Sequence, residues 1–218
     1  MLEPMLSPRF RAASGARTRT TPADVLRLLV GLWLFGTGDA LIVSTALGNS
    51  PWTVLAEGVS LVTPLSIGVA TQVIGVAVLC GWIPLRVRPG LGTIANVIVI
   101  GVAIDVMLAV LPAPSGLPLR ALALLGGVAL IGLGSGLYLS AGMGPGPRDG
   151  WMTGIHARTA WPVSAVRLGI EVAVLAGGWA LGGTVGVGTV AFALLIGPSV
   201  GVGLRLVGRT KRPVAPSA

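Results

Sequence analysis

A duplication constrains this chain more than any other feature. Gly31, Gly36, Gly38, Gly48, Gly58, Gly81, Gly90, Gly92 and Gly101 fall, at a constant offset of 96 residues, on Gly127, Gly132, Gly134, Gly144, Gly154, Gly177, Gly186, Gly188 and Gly197. Pro51, Thr63 and Thr93 fall on Pro147, Thr159 and Thr189, and the stretch 74–81 (IGVAVLCG) falls on 170–177 (IEVAVLAG). Nine of the eleven glycines in 31–101 find a glycine partner without a gap, where the 17 glycines among the 71 residues of 127–197 would give about two or three by chance. Two copies of one unit are therefore expected. Each unit reads as three membrane-crossing helices, and an odd number of crossings turns the second copy upside down relative to the first, an arrangement common in membrane transporters.

Composition agrees with a bilayer as solvent. Of 218 residues, 53% are hydrophobic and only 10% charged, and the mean hydropathy is +0.90. Soluble domains carry about 25% charged residues, so polar surface is too scarce here to cover a water-soluble globule. Apolar runs near the length needed to cross a hydrocarbon core of about 30 Å recur along the chain. The net charge of +8 does not point to nucleic acid, because the cations lie in the tails and between apolar runs with no basic stripe interleaved with aromatics. The lone Cys80 sits in an apolar run, and His156 has no thiol or carboxylate companions, so neither a disulfide framework, a metal site nor a cofactor is expected.

The pattern predicts an all-α integral membrane protein with spans near 25–46, 64–83, 91–111, 120–141, 163–181 and 185–205. Residues 1–20 read as a disordered basic cytoplasmic tail, 21–113 as the first three-helix repeat, 117–206 as the second, inverted repeat, and 207–218 as a basic cytoplasmic tail. A secretory signal is disfavoured: the charged lead is long, the first apolar run holds Asp39, and its partner in the second copy is a span. Thr21, Pro22 and Asp24 form a helix-start signal. With both termini inside, fourteen of the fifteen basic residues lie in cytoplasmic segments or at their helix edges, and only Arg120 lies at an outer end; removing one span would move the later clusters to the wrong side.

After the first span of each copy comes a segment too long for a tight turn. Ser50 or Gly146 can cap, and Pro51 or Pro147 suits the first helical position. A short helix of about ten residues, roughly 15 Å long, is expected after each, the first on the outer side and the second on the inner. Whether these helices re-enter the membrane or lie on its surface is open at this stage.

Candidate binding residues follow from cost. Asp39, Asp105, Arg167 and Glu171 are ionisable groups within or at the edge of spans, where a functional or paired role is the default. Arg167 and Glu171, four apart, share a helical face and can pair. Asp39 is deep enough to face the bundle interior; Asp105 is expected to reach the outer interface. Asn96 and Gln72 are read as hydrogen-bonding groups between helices. In the run Gly144–Gly150 (GPGPRDG), Arg148 and Asp149 stand at a helix start whose free N–H groups attract anions; a rigid cytoplasmic turn with the two charges paired is the plainer reading. The copy-one counterparts of this pair are Trp52 and Thr53, so the backbone does not require the charges. The six tryptophans mostly lie near run ends, as interface anchors do. No serine–histidine–acid set, metalloprotease motif or phosphate-binding glycine loop is present, so no catalytic residue is named.

At Gly48–Trp52 (GNSPW), Arg88–Thr93 (RPGLGT) with Asn96, and Gly144–Gly150 with Met152 and Gly154, the chain resembles the YczE family of bacterial multipass membrane proteins, which is similar in layout to YitT-type proteins. Arg167 with Glu171, and Gly182–Thr189 (GGTVGVGT) with Gly197–Pro198, extend the resemblance over roughly 31–204; Trp151 departs from the aliphatic residue expected there. The resemblance implies a bacterial plasma-membrane protein and brings no substrate or catalytic residue. The expected function is a small secondary transporter or exporter of an unidentified solute. Its site would lie between the repeats near mid-membrane, drawn from Asp39, Asn96, Arg148, Asp149, Arg167 and Glu171. The alternatives are a non-transporting accessory protein that scaffolds a partner enzyme and, third, an intramembrane enzyme. The lipid bilayer is the one partner the composition requires, and self-association into a homo-oligomer stays open.

Overall fold

The computed structural model describes residues 20–85 and 87–208. The two basic tails, with Arg9, Arg11, Arg17, Arg19, Arg209, Lys211 and Arg212, and the loop residue Arg86 lie outside the described residues. The described chain is helical, without a strand: α1 (Pro22–Ser44), α2 (Pro51–Val62), α3 (Ile67–Cys80), α4 (Trp82–Leu85), α5 (Leu91–Val110), α6 (Leu117–Ser140), α7 (Pro147–Thr159), α8 (Val163–Ala180) and α9 (Val187–Gly208). Six stretches are long and apolar enough to cross a membrane: α1, α3 continued through α4, α5, α6, α8 and α9. The expected starts are met. Thr21 and Asp24 form a capping box around Pro22. Ser50 caps α2 ahead of Pro51, and Gly146 precedes Pro147 at α7.

Close backbone approach holds the centre. A Cβ on Gly31 would lie 2.7 Å from the Gly134 carbonyl oxygen, and one on Gly38 would lie 2.6 Å from that of Gly127. Numbers rise along α1 as they fall along α6, so the two helices are antiparallel. These contacts exchange with one another under the 96-residue offset, and others do the same. Gly36 meets Ala103 as Gly132 meets Ser199, and Gly58 meets Leu181 as Gly154 meets Leu85. Gly92 N donates to Met143 O at 2.8 Å, as Gly188 N donates to Leu47 O at 2.7 Å. The two apolar cores are related likewise: Leu28, Leu32 and Ile100 in one correspond to Leu124, Val128 and Ile196 in the other. Small residues are required wherever backbones pack this tightly.

The short helices pack alongside spans. The segments that lead into them turn sharply, and the left-handed backbone recurs at offset positions: Ala46 (φ 51°) and Gly142 (φ 65°), Gly48 (φ 114°) and Gly144 (φ 128°). α2 then runs beside the C-terminal half of α8, with Leu55 against Gly178 and Gly58 against Leu181. α7 runs beside α3 and α4, with Trp151 Nε1 donating to Val78 O at 2.7 Å and Trp82 Nε1 to Pro147 O at 2.9 Å. Three tryptophans are thus structural anchors: Trp82, 1% exposed, Trp52 and Trp151. Only Trp33, Trp161 and Trp179 are exposed as membrane-interface anchors would be.

Gly48→Ala should destabilise the protein by about 2–4 kcal/mol, because the new methyl adds left-handed strain and would sit 2.5 Å from Gly186 N. Ala46→Gly, at an exposed position, should raise stability by roughly 0.5–1 kcal/mol. Denaturant unfolding in detergent measures both.

Candidate functional site where the short helices meet

The two short helices begin at the same place. Trp52, the second residue of α2, and Arg148, the second residue of α7, are counterparts under the 96-residue offset, and they touch: the Arg148 guanidinium carbon lies 4.7 Å from the centre of the Trp52 ring. Such stacking contributes about 0.5–2 kcal/mol. The Trp52 indole N–H donates to Glu171 Oε1 at 3.3 Å. Glu171 is the ninth of the eighteen residues of α8, which puts the cluster halfway along a span. Asp39, 3% exposed, accepts from Thr53 Oγ1 at 3.2 Å, and that hydroxyl is 2.8 Å from Ser50 Oγ.

Arg148 is half-buried. The group is a cation, as guanidinium is in proteins. Among the described residues no carboxylate closes an ion pair with it and no acceptor takes a hydrogen bond from it. Arg148 stands at the start of α7 and its ring partner Trp52 at the start of α2, where both helix dipoles are positive.

The expected residues separate into two groups. Asp39, Arg148 and Glu171 converge around Trp52. Asp149 is beside them but is occupied: its carboxylate caps α7 by accepting from Gly146 N at 3.0 Å. Arg167 is exposed and closes no ion pair with Glu171, despite the four-residue spacing; the Glu171 carboxylate turns to the Trp52 indole instead. Asn96 is half-buried on α5, and among the described residues no hydrogen bond joins its side chain to the cluster. Asp105 does not simply face water: it caps α3, accepting from Ser66 Oγ at 2.5 Å and Gly68 N at 2.7 Å. Gln72 Nε2 bridges to Ile98 O at 3.0 Å, an interhelix bond as expected. His156, on α7, lies 2.6 Å from the Trp161 carbonyl through Nδ1. No group of three or more potential metal ligands occurs among the described residues.

The sequence reading missed Glu57. Its Oε2 accepts from Asn49 Nδ2 at 2.8 Å and Thr184 N at 2.6 Å, and its Oε1 from Thr184 Oγ1 at 2.8 Å. It ties the segment before α2, and α2 itself, to the segment before α9, and so fixes where Trp52 stands. The available signal was a carboxylate in a short apolar helix whose counterpart, Thr153, is neutral. A cavity of about 200 Å³, lined by Thr20, Asp24, Leu91 and Ala141–Met143, lies elsewhere, at the start of α1.

Six apolar spans around a buried polar cluster define a polytopic α-helical membrane protein. Residues 23–205 match the model of DUF6198, a family of unknown function, and the chain belongs to that family. It is 42% identical over 182 residues, 84% of each chain, to an uncharacterized protein of Haemophilus influenzae. It is 38% identical over 170 residues to the uncharacterized membrane protein YczE of Bacillus subtilis, covering 77% of this chain and 79% of that one. No solved structure matches it.

Glu57→Ala removes three charge-assisted hydrogen bonds from one carboxylate and leaves Asn49 and Thr184 unmatched. It should lower stability by about 3–5 kcal/mol, read as a fall in thermal unfolding temperature in detergent, with Glu57→Gln intermediate.

Proposed function

We propose that this protein is a small secondary transporter of the bacterial plasma membrane, built as an inverted repeat with both termini in the cytoplasm. The observation that carries the reading is the meeting of Trp52 and Arg148. Equivalent positions of two repeats touch at mid-span, and the cation there has no protein acceptor among the described residues. Exchange-related contacts and the antiparallel run of α1 and α6 favour the inversion. A guanidinium held between Asp39, Glu171 and two helix starts is suited to an anionic group of a solute, with the carboxylates placed for a coupling proton or cation.

The substrate search is a thermal-shift screen of purified protein across anionic, amino-acid and amphiphilic compounds, followed by flux of each stabilising compound in proteoliposomes. Asp39→Asn and Glu171→Gln should abolish flux while protein levels stay normal, and Arg148→Lys should reduce it at least about tenfold, since lysine loses the planar fork and its stacking. Unchanged flux in all three variants would remove the site. Topology has its own check. In a Cys80→Ser background, a cysteine at Ser115 should label from outside the cell and one at Val87 only after permeabilisation; labelling from the same side sinks the inversion.

A second reading, an accessory protein that supports a partner enzyme, is favoured by the position of the 200 Å³ cavity away from Arg148. It predicts that no compound shifts stability and that the protein co-purifies at fixed stoichiometry with one membrane enzyme.

A further inference from the structure

The two repeats share a contact pattern but not one interface. In the first, α3 packs along α5: a Cβ on Gly68 would collide with Gly101 O and the Asp105 side chain, one on Gly101 would lie 2.5 Å from the Gln72 side chain, and one on Gly75 would lie 3.0 Å from Val97. The counterparts in the second repeat are α8 and α9, and they hardly meet; α8 packs along α2 instead. Gly68 and Gly101 are buried, whereas their counterparts Ser164 and Gly197 are exposed. A Cβ on Gly197 or on Gly201, the counterpart of Asp105, would meet nothing within 4 Å.

We infer that the face of α9 carrying Ala193, Gly197 and Gly201 is a vacated seat for α8, and that a second conformation exists in which α8 closes on α9 as α3 now closes on α5. The occupant is specified by the chain itself. The seat is small at every fourth residue, the spacing that lets helices approach closely. Its expected partners are complementary in size: Leu168 would meet Gly197 where Gln72 meets Gly101, and Glu171 would face Ala193 where Gly75 faces Val97, with the smaller alanine leaving room for the longer side chain. Two copies of one unit in unequal states, able to exchange them, make alternating access by rocking. The inference deepens the transport reading and rests on it. Glu171, which accepts from Trp52, is carried on the helix that moves, so the central cluster and the seat share a residue.

Cysteine cross-linking of the full chain in native membranes tests this. In a Cys80→Ser background, the pairs Leu168→Cys with Gly197→Cys and Ser164→Cys with Gly201→Cys place thiols at the counterparts of residues that touch in the first repeat. Both should form disulfides with a copper oxidant at least about fivefold faster than Ser164→Cys with Val190→Cys, which is out of register by roughly 16 Å at 1.5 Å per residue. Gly197 and Gly201 have open space for the new side chain, and two independent pairs protect the result against one variant that misfolds. Should both pairs stay unlinked in protein that remains monodisperse in detergent, or should the shifted pair react as fast, the second conformation is overturned. The readout needs no substrate, so failure here is distinct from absence of flux, which bears on the transport reading alone.

Discussion

Irregular backbone at membrane depth has no water to bond to, so it must be satisfied by protein. The segments 45–50 and 142–146 carry this burden, and neither draws all its partners from its own repeat: Gly146 N is capped by Asp149 and Asn49 Nδ2 reaches Glu57, while other groups bond across. Met143 O and Pro145 O accept from Gly92 N and Thr93 Oγ1 at the start of α5, while Leu47 O accepts from Gly188 N at the start of α9 and Asn49 N donates to Thr184 O. Each repeat supplies the partners for the other's broken segment. That reciprocity ties the halves to each other beside the point where the starts of α2 and α7 meet.

The polar residues then sort by what the reciprocity requires. Glu57, Asp105, Asp149 and Thr93 are consumed by caps and loops. Asp39 and Glu171 each accept from a side chain of α2, Thr53 and Trp52 respectively. Arg148 has a ring beneath it and no acceptor among the described residues, and because its counterpart is Trp52, the charge of the cluster comes from the difference between the repeats rather than from their shared frame. A duplicated backbone with unlike residues at the point of contact is how such a chain acquires a polar centre without two of everything.

The repeats also differ in packing. Close glycine contacts are used along α1, α5 and α6, where they are filled, and are present but unfilled along the outer face of α9. The crossing of α1 with α6 is tightly packed, whereas α8 packs along α2 and leaves that face of α9 open.

Much of the frame was legible from residue order. The 96-residue offset, the capping signals at Thr21, Ser50 and Gly146, and the lengths of the apolar runs fix six spans and two short helices, because bilayer thickness and helix-start chemistry act on local sequence. Asp39, Arg148 and Glu171 stood out as costly groups in an apolar chain. What sequence alone could not decide was which of them meet. Arg167 and Glu171 are neighbours by spacing, yet Glu171 turns to a tryptophan 119 residues away. Asp105 caps a helix it is 37 residues from, and Trp82, buried, and Trp151, half-buried, are hydrogen-bonded locks although their positions near run ends match those of surface anchors. Side-chain partners across helices are chosen by which backbones can approach, and that is a property of the assembled bundle, where a glycine on one span and a bulky residue on another must be present at once.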